Sequence, residues 1–132
     1  MNISPVTLTD KKSVCFPLLT FDLPCLIEEM KLSRSWAKGE LKNMILLNSP
    51  DKQVLLTAVH ERTEIDSFQI NDSVAYHILE GELVFRTREE SLNLKEGQLL
   101  TLYEKVQYSL TATAETVFLL TISKCPSKTV EN

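Results

Sequence analysis

The sequence predicts a single all-β domain of the sandwich or barrel type, led in by an arm and one short helix. Three observations point there. The chain has 132 residues, and a typical domain holds roughly 100 to 150, enough for one core that buries most of its apolar surface. From residue 44 onward, short apolar runs alternate with clusters of turn formers, which is the spacing of paired strands. No segment repeats and none is of low complexity, so a solenoid or a disordered chain is not indicated.

Residues 1–20 contain Pro5 and Pro17 and hold no sustained period, as expected of an arm that packs along the domain or along a neighbouring subunit. In FDLPCLIEEMKLSRS, Asp22 can cap and Pro24 falls in the first turn. Leu23, Leu26, Ile27 and Met30 then recur at three- and four-residue steps, predicting an amphipathic helix over 23–31. Two apolar runs, Met44 to Leu47 and Val54 to Val59, flank Asn48-Ser49-Pro50-Asp51-Lys52 and read as a hairpin. Further strands are predicted at Ser73 to Leu79, Glu82 to Thr87, Leu99 to Leu102, Tyr108 to Thr111 and Thr116 to Ser123. Turns fall at Glu80-Gly81, Arg88 to Ser91 and Glu96-Gly97. The expected division is arm and helix over 1–43, strands over 44–123 and a polar tail over 124–132.

Parity orients the strands, because successive side chains point to opposite faces. Val74, Tyr76 and Ile78 share one face; Ala75, His77 and Leu79 share the other. Both sets contain apolar residues, so the strand is expected to be covered on both sides: by a second sheet on one, by the arm or a second subunit on the other. That favours a homodimer over a bare monomer.

Fourteen Lys and Arg stand against eighteen Asp and Glu, a net charge of −4. There is no basic field to condense on a phosphate backbone, so nucleic acid is not an expected partner. No apolar run approaches the roughly 18 to 20 residues that cross a bilayer, and MNISPVTLTDKKSV lacks the basic-then-apolar layout of a secretion signal. The expected compartment is the cytoplasm, with no membrane partner. Cys15, Cys25 and Cys125 are odd in number and widely spaced, which suits reduced thiols rather than a disulfide framework or a zinc knuckle.

YHILEGELVF, an apolar strand ending in Leu-Glu-Gly and followed by a second apolar strand, resembles the first motif of the cupins. These are small proteins with a double-stranded β-helix or jelly-roll barrel. LNLKEGQLLTLYEKVQYSLTATAETVFLLTI is similar to their second motif, Leu-x-x-Gly-x-x-x-x-Leu, then a loop, a strand, an acidic turn and a final apolar strand. The resemblance spans about residues 44–123. In metal-binding cupins the first motif supplies two His and a Glu and the second one His. Here the His pair falls on Ser67 and Gln69 or on Phe68 and Ile70, the Glu on Val74 and the last His on Tyr108. Tyr103, Glu104, Lys105 and Val106 stand where members often carry a Pro and a Gly. No metal and no other cofactor is therefore expected, since neutral oxygens replace imidazole poorly.

The resemblance turns Phe68, Val74, Tyr76 and Tyr108 toward the interior, with Gln69 inside or at the rim. Either this interior is filled with apolar and aromatic bulk, or its aromatic walls and few polar groups bind a small organic ligand. Buried phenols need partners, so Tyr76 and Tyr108 must bond to each other, to Gln69, to water or to a ligand. The expected function is a non-catalytic, metal-free protein that binds or senses a small molecule or serves as an interaction module. The alternative is a metal-independent enzyme of the sugar isomerase or epimerase kind, which needs a base inside. His60, Arg62 and Glu64 read as a solvated strand edge, and His77 as a packed or interface residue. Arg86 and Arg88 read as an outer face, and Trp36 as an anchor that packs the lead-in on the sheet.

Overall fold

The computed structural model describes residues 18–67, 73–102 and 106–123. The arm up to Pro17, Cys15, Phe68, Gln69, the loop residues Tyr103 to Lys105, and the tail with Cys125 lie outside them. Helix α1 (Leu23–Lys31) and the single turn α2 (Arg34–Ala37) precede nine strands. These are β1 (Lys42–Ser49), β2 (Lys52–Val59), β3 (Glu64–Ser67), β4 (Ser73–Glu80), β5 (Glu82–Arg86), β6 (Ser91–Lys95), β7 (Leu99–Leu102), β8 (Tyr108–Ala112) and β9 (Thr116–Ser123). The predicted helix and seven predicted strands are present; α2, β3 and β6 were not predicted. Ser91, assigned to a turn, opens β6. No helix among the described residues is long and apolar enough to cross a membrane.

The strands form two antiparallel sheets, one in the order β1-β2-β9-β4-β7 and one in the order β3-β8-β5-β6. This is the expected all-β jelly roll, and among the described residues no hydrogen-bonded ladder joins the two sheets, so it is a sandwich and not a closed barrel. Their facing sides meet in one apolar cluster containing Tyr76, Ile78, Leu83, Phe85, Tyr108 and Phe118. Each fully buried side chain of that size contributes on the order of 2 kcal/mol.

The back of the five-stranded sheet is also apolar, and the helices cover part of it. Ile27 and Met30 of α1 and Trp36 of α2 pack on Leu56, Ala58 and Val117. Asp22 caps α1 by accepting from the Cys25 N–H at 3.3 Å, and Pro24 stands in the first turn, where a missing N–H costs nothing. Ser33 caps α2 by accepting from the Trp36 N–H at 3.2 Å, and Gly39, with φ +92°, ends it. Trp36 is thus the expected anchor.

One corner ties the helix layer to both sheets. Lys31 Nζ lies 2.9 Å from Glu80 Oε1 and 2.8 Å from Glu115 Oε2. Burial works against its charge, but the hydrogen bonds to Glu115 and Glu80 outweigh that and raise its pKa. Beside it the fully buried Thr116 hydroxyl donates to the Ala114 carbonyl (2.7 Å) and accepts from the Glu82 N–H (3.1 Å). Gly81 passes so close that a Cβ there would collide with the Glu115 carbonyl oxygen and with Thr116, and its φ is +87°. Both facts demand glycine.

Candidate functional site

Among the described residues, the interior of the sandwich carries one polar pair. The alternation of β4 buries Val74, Tyr76 and Ile78, and that of β8 buries Tyr108, Leu110 and Ala112. Tyr76 and Tyr108, 5% and 6% exposed, join their hydroxyls at 2.7 Å across the two sheets. Phe118 lies edge-on to Tyr76 at 5.5 Å and Phe85 is tilted against Tyr108 at 5.2 Å. Burial, and then the bond to Tyr108, push the Tyr76 phenol well above its usual pKa. The Tyr76 phenol is therefore neutral at ordinary pH. Two phenols bring two O–H donors, and one bond between them uses only one. Whichever phenol donates, a second O–H is left, and no other described residue bonds to either hydroxyl. Ile65, Leu100, Leu102, Val106 and Leu120, all half-buried, pack against the cluster, so among the described residues apolar walls surround the hydroxyl pair.

The two histidines lie elsewhere. His77 alternates with Tyr76 and Ile78 and so points to the back of the five-stranded sheet, beside Leu99 and Leu119. His60 is not the solvated edge residue expected of it. Its ring stacks on Trp36 with centroids 3.6 Å apart and planes inclined by 20°, and its Nε2 lies 3.0 Å from the Trp36 carbonyl oxygen. The cause is α2, whose cap and closing glycine swing Trp36 over the end of β2. Neither imidazole reaches Tyr108. Arg62 and Glu64 do read correctly as exposed, and Arg86 faces out.

No protein-family model matches the sequence, and no curated protein matches it. Its architecture is shared with solved structures. A cupin superfamily protein from Desulfitobacterium hafniense superimposes with a TM-score of 0.63 at 16% identity, over 65% of this chain and 79% of that one. A cupin-2 domain containing protein from Shewanella frigidimarina gives 0.64 at 13% identity, over 80% of this chain and 95% of its own. The chain has the cupin fold. The cupin domain of Cnp3 from Schizosaccharomyces pombe is a third likeness, with a TM-score of 0.57 at 12% identity over 64% of this chain and 65% of that one.

Val74 and Tyr108 stand at two of the positions that the sequence resemblance assigns to metal ligands. Val74 offers no donor atom, and Tyr108 offers a neutral phenol already bonded to Tyr76. Phe68 and Gln69, assigned to the same site from the sequence, lie outside the described residues. Among the described residues no group of three His, Cys, Asp or Glu side chains converges.

A second apolar feature went unnoticed in the sequence. On the back of the five-stranded sheet of this cupin fold, Leu19, Phe21, Leu23, Leu46, Leu47, Val54 and Leu119 line a groove of about 350 Å³. Register slips between Ile45 and Leu47, a bulge that lets the consecutive Leu46 and Leu47 face the same way. Alternation alone would send them to opposite faces, so the only signal available was the pair of leucines itself.

Proposed function

We propose that this chain is a non-catalytic, metal-free cytoplasmic protein of cupin fold that binds a small uncharged molecule inside its sandwich. The observation that carries the reading is the second O–H of the Tyr76–Tyr108 pair, nearly fully buried, set in apolar walls and bonded to no other described residue. A buried donor without an acceptor costs roughly 1–3 kcal/mol, which a ligand carbonyl or ether oxygen would recover. The charge of the ligand follows from the walls, since no ionised side chain is buried among the described residues. Val74, Tyr76 and Tyr108 are the described residues assigned to contact it, and Phe68 and Gln69 complete the assignment from the sequence.

The proton-transfer alternative is disfavoured by the position of the imidazoles. It requires a base near Tyr108, and His60 and His77 both belong to the opposite side of the five-stranded sheet. A matched pair of probes separates the parts of the reading. Cyclohexanone has the acceptor and methylcyclohexane lacks it. Saturation-transfer NMR is expected to show cyclohexanone bound in preference to methylcyclohexane, with the preference lost in Tyr108→Phe or Tyr76→Phe. Equal binding of both probes, or binding of neither, sinks the proposal.

A further inference from the structure

The core between the helices and the back of the five-stranded sheet stops short of its own apolar margin. Ile27, Met30 and Trp36 seal it over Leu56, Ala58 and Val117, and Leu23, Leu46 and Leu119 pack half-buried against that cluster. The same three residues also line the groove of about 350 Å³, which Leu19, Phe21, Leu47 and Val54 complete. The groove is therefore the open end of a core, on the side of the sheet opposite the Tyr76–Tyr108 pair. Leu19 and Phe21 remain 43% and 45% exposed on it. Contiguous apolar surface of this kind normally marks a contact. No charged side chain lines the groove, so its occupant must itself be apolar and uncharged.

We propose that the occupant is segment 13–16 of the same chain, with Val14 and Phe16 seated in the groove. The choice follows from where the described chain begins. Seventeen residues precede Leu18, and Leu19, three residues after Phe16, already lines the groove. Three residues span at most about 10 Å, so Phe16 stays beside the groove of its own chain. A group tethered this closely holds an effective concentration on the order of millimolar, against which a separate partner competes poorly. The chemistry of the segment fits as well. Val14-Cys15-Phe16 carries no charge, whereas Asp10-Lys11-Lys12 before it is ionised and belongs in water. Pro17 biases Phe16 toward extended backbone, and in an extended chain Val14 and Phe16 fall on one face. Seated so, the two side chains complete the core that α1 begins. The arm then closes a surface that its release would open to another apolar segment.

The test uses the full chain and the dye anilinonaphthalene sulfonate, whose fluorescence rises on exposed apolar surface. Phe16→Asp sets a charge against the groove and is expected to raise dye fluorescence about threefold or more over the wild type. Leu8→Asp, further up the arm, is the control and should fluoresce as the wild type does. Both variants are expected to keep the wild-type far-UV spectrum, because neither position belongs to a described helix or strand. The seat itself is read in a background of Cys15→Ser, Cys25→Ser and Cys125→Ser. There Phe16→Cys with Leu47→Cys is expected to oxidise to a bridge within one chain. Phe16→Cys with Leu99→Cys, on β7 at the far edge of the same sheet, is expected to form none. A wild-type signal in Phe16→Asp or an equal rise in Leu8→Asp overturns the proposal. So does a bridge to Leu99→Cys, a bridge between chains, or the absence of a bridge to Leu47→Cys.

Discussion

Tyr76 on β4 and Tyr108 on β8 share one hydrogen bond of 2.7 Å that links the two sheets of the sandwich. The bond is a structural tie, and its second O–H, which bonds to no other described residue, is the handle proposed for a ligand. Each role can be measured.

As a tie, the pair behaves as a unit. Tyr76→Phe and Tyr108→Phe are each expected to destabilise the fold by about 1–2 kcal/mol, since each strands the other hydroxyl. The double variant strands nothing and should cost less than the sum of the two. Chemical denaturation of the four proteins gives the coupling directly; strict additivity contradicts it.

The same bond predicts an alkaline dependence. The folded-state pKa of Tyr76 is raised above the ordinary value of 10.0, so its contribution is complete below about pH 10 and is lost as pH rises toward the folded pKa. Unfolding free energy should fall there by up to about 1.4 kcal/mol per pH unit for one group. Lys31, with its pKa also raised, acts with the same sign in the same window. The tyrosine share is therefore the difference between wild type and Tyr76→Phe, and equal slopes in the two proteins refute it.

At the corner where Glu115 and Thr116 crowd Gly81, Gly81→Ala adds both a collision and a strained φ. A loss of about 2–4 kcal/mol is expected in denaturant. Arg62 supplies the opposite case, for it holds φ 74° without being glycine. Its backbone N–H donates to the Ala112 carbonyl at 2.7 Å, which any residue can do. Arg62→Gly should be neutral or stabilise by up to about 1 kcal/mol.

His60→Ala removes a ring stack and a hydrogen bond at once and should cost about 1–2 kcal/mol. Trp36 is the single tryptophan, so the near-UV circular dichroism of the indole reports the loss without ambiguity. An unchanged indole signal would mean that the stack does not persist in solution.

Most of the fold is legible in the sequence where burial alternates strongly. Helix α1 announces itself through Asp22, Pro24 and a three-to-four-residue apolar period, and β4 and β5 through parity and the Leu79-Glu80-Gly81 turn between them. The turn signal proves to reflect a steric demand at Gly81. The misses have physical causes. Strand β3, Glu64–Ser67, is an edge strand with one apolar residue, and β6 begins inside a run that reads as a turn. Helix α2 is too short for a period, and only its Ser33 cap and Gly39 stop mark it. The mutual hydroxyl bond was one of several partners open to Tyr76 and Tyr108, and only geometry could choose among them. His60 misled because its partner, Trp36, comes from a different layer, 24 residues away.

The most direct test of a ligand-binding, metal-free cupin fold is a native mass spectrum of the full-length protein, taken beside elemental analysis of the same preparation. The account predicts no stoichiometric metal and a small organic mass that Tyr108→Phe fails to retain. One divalent ion per chain, or a protein that carries no organic mass and takes up neither probe, would contradict it.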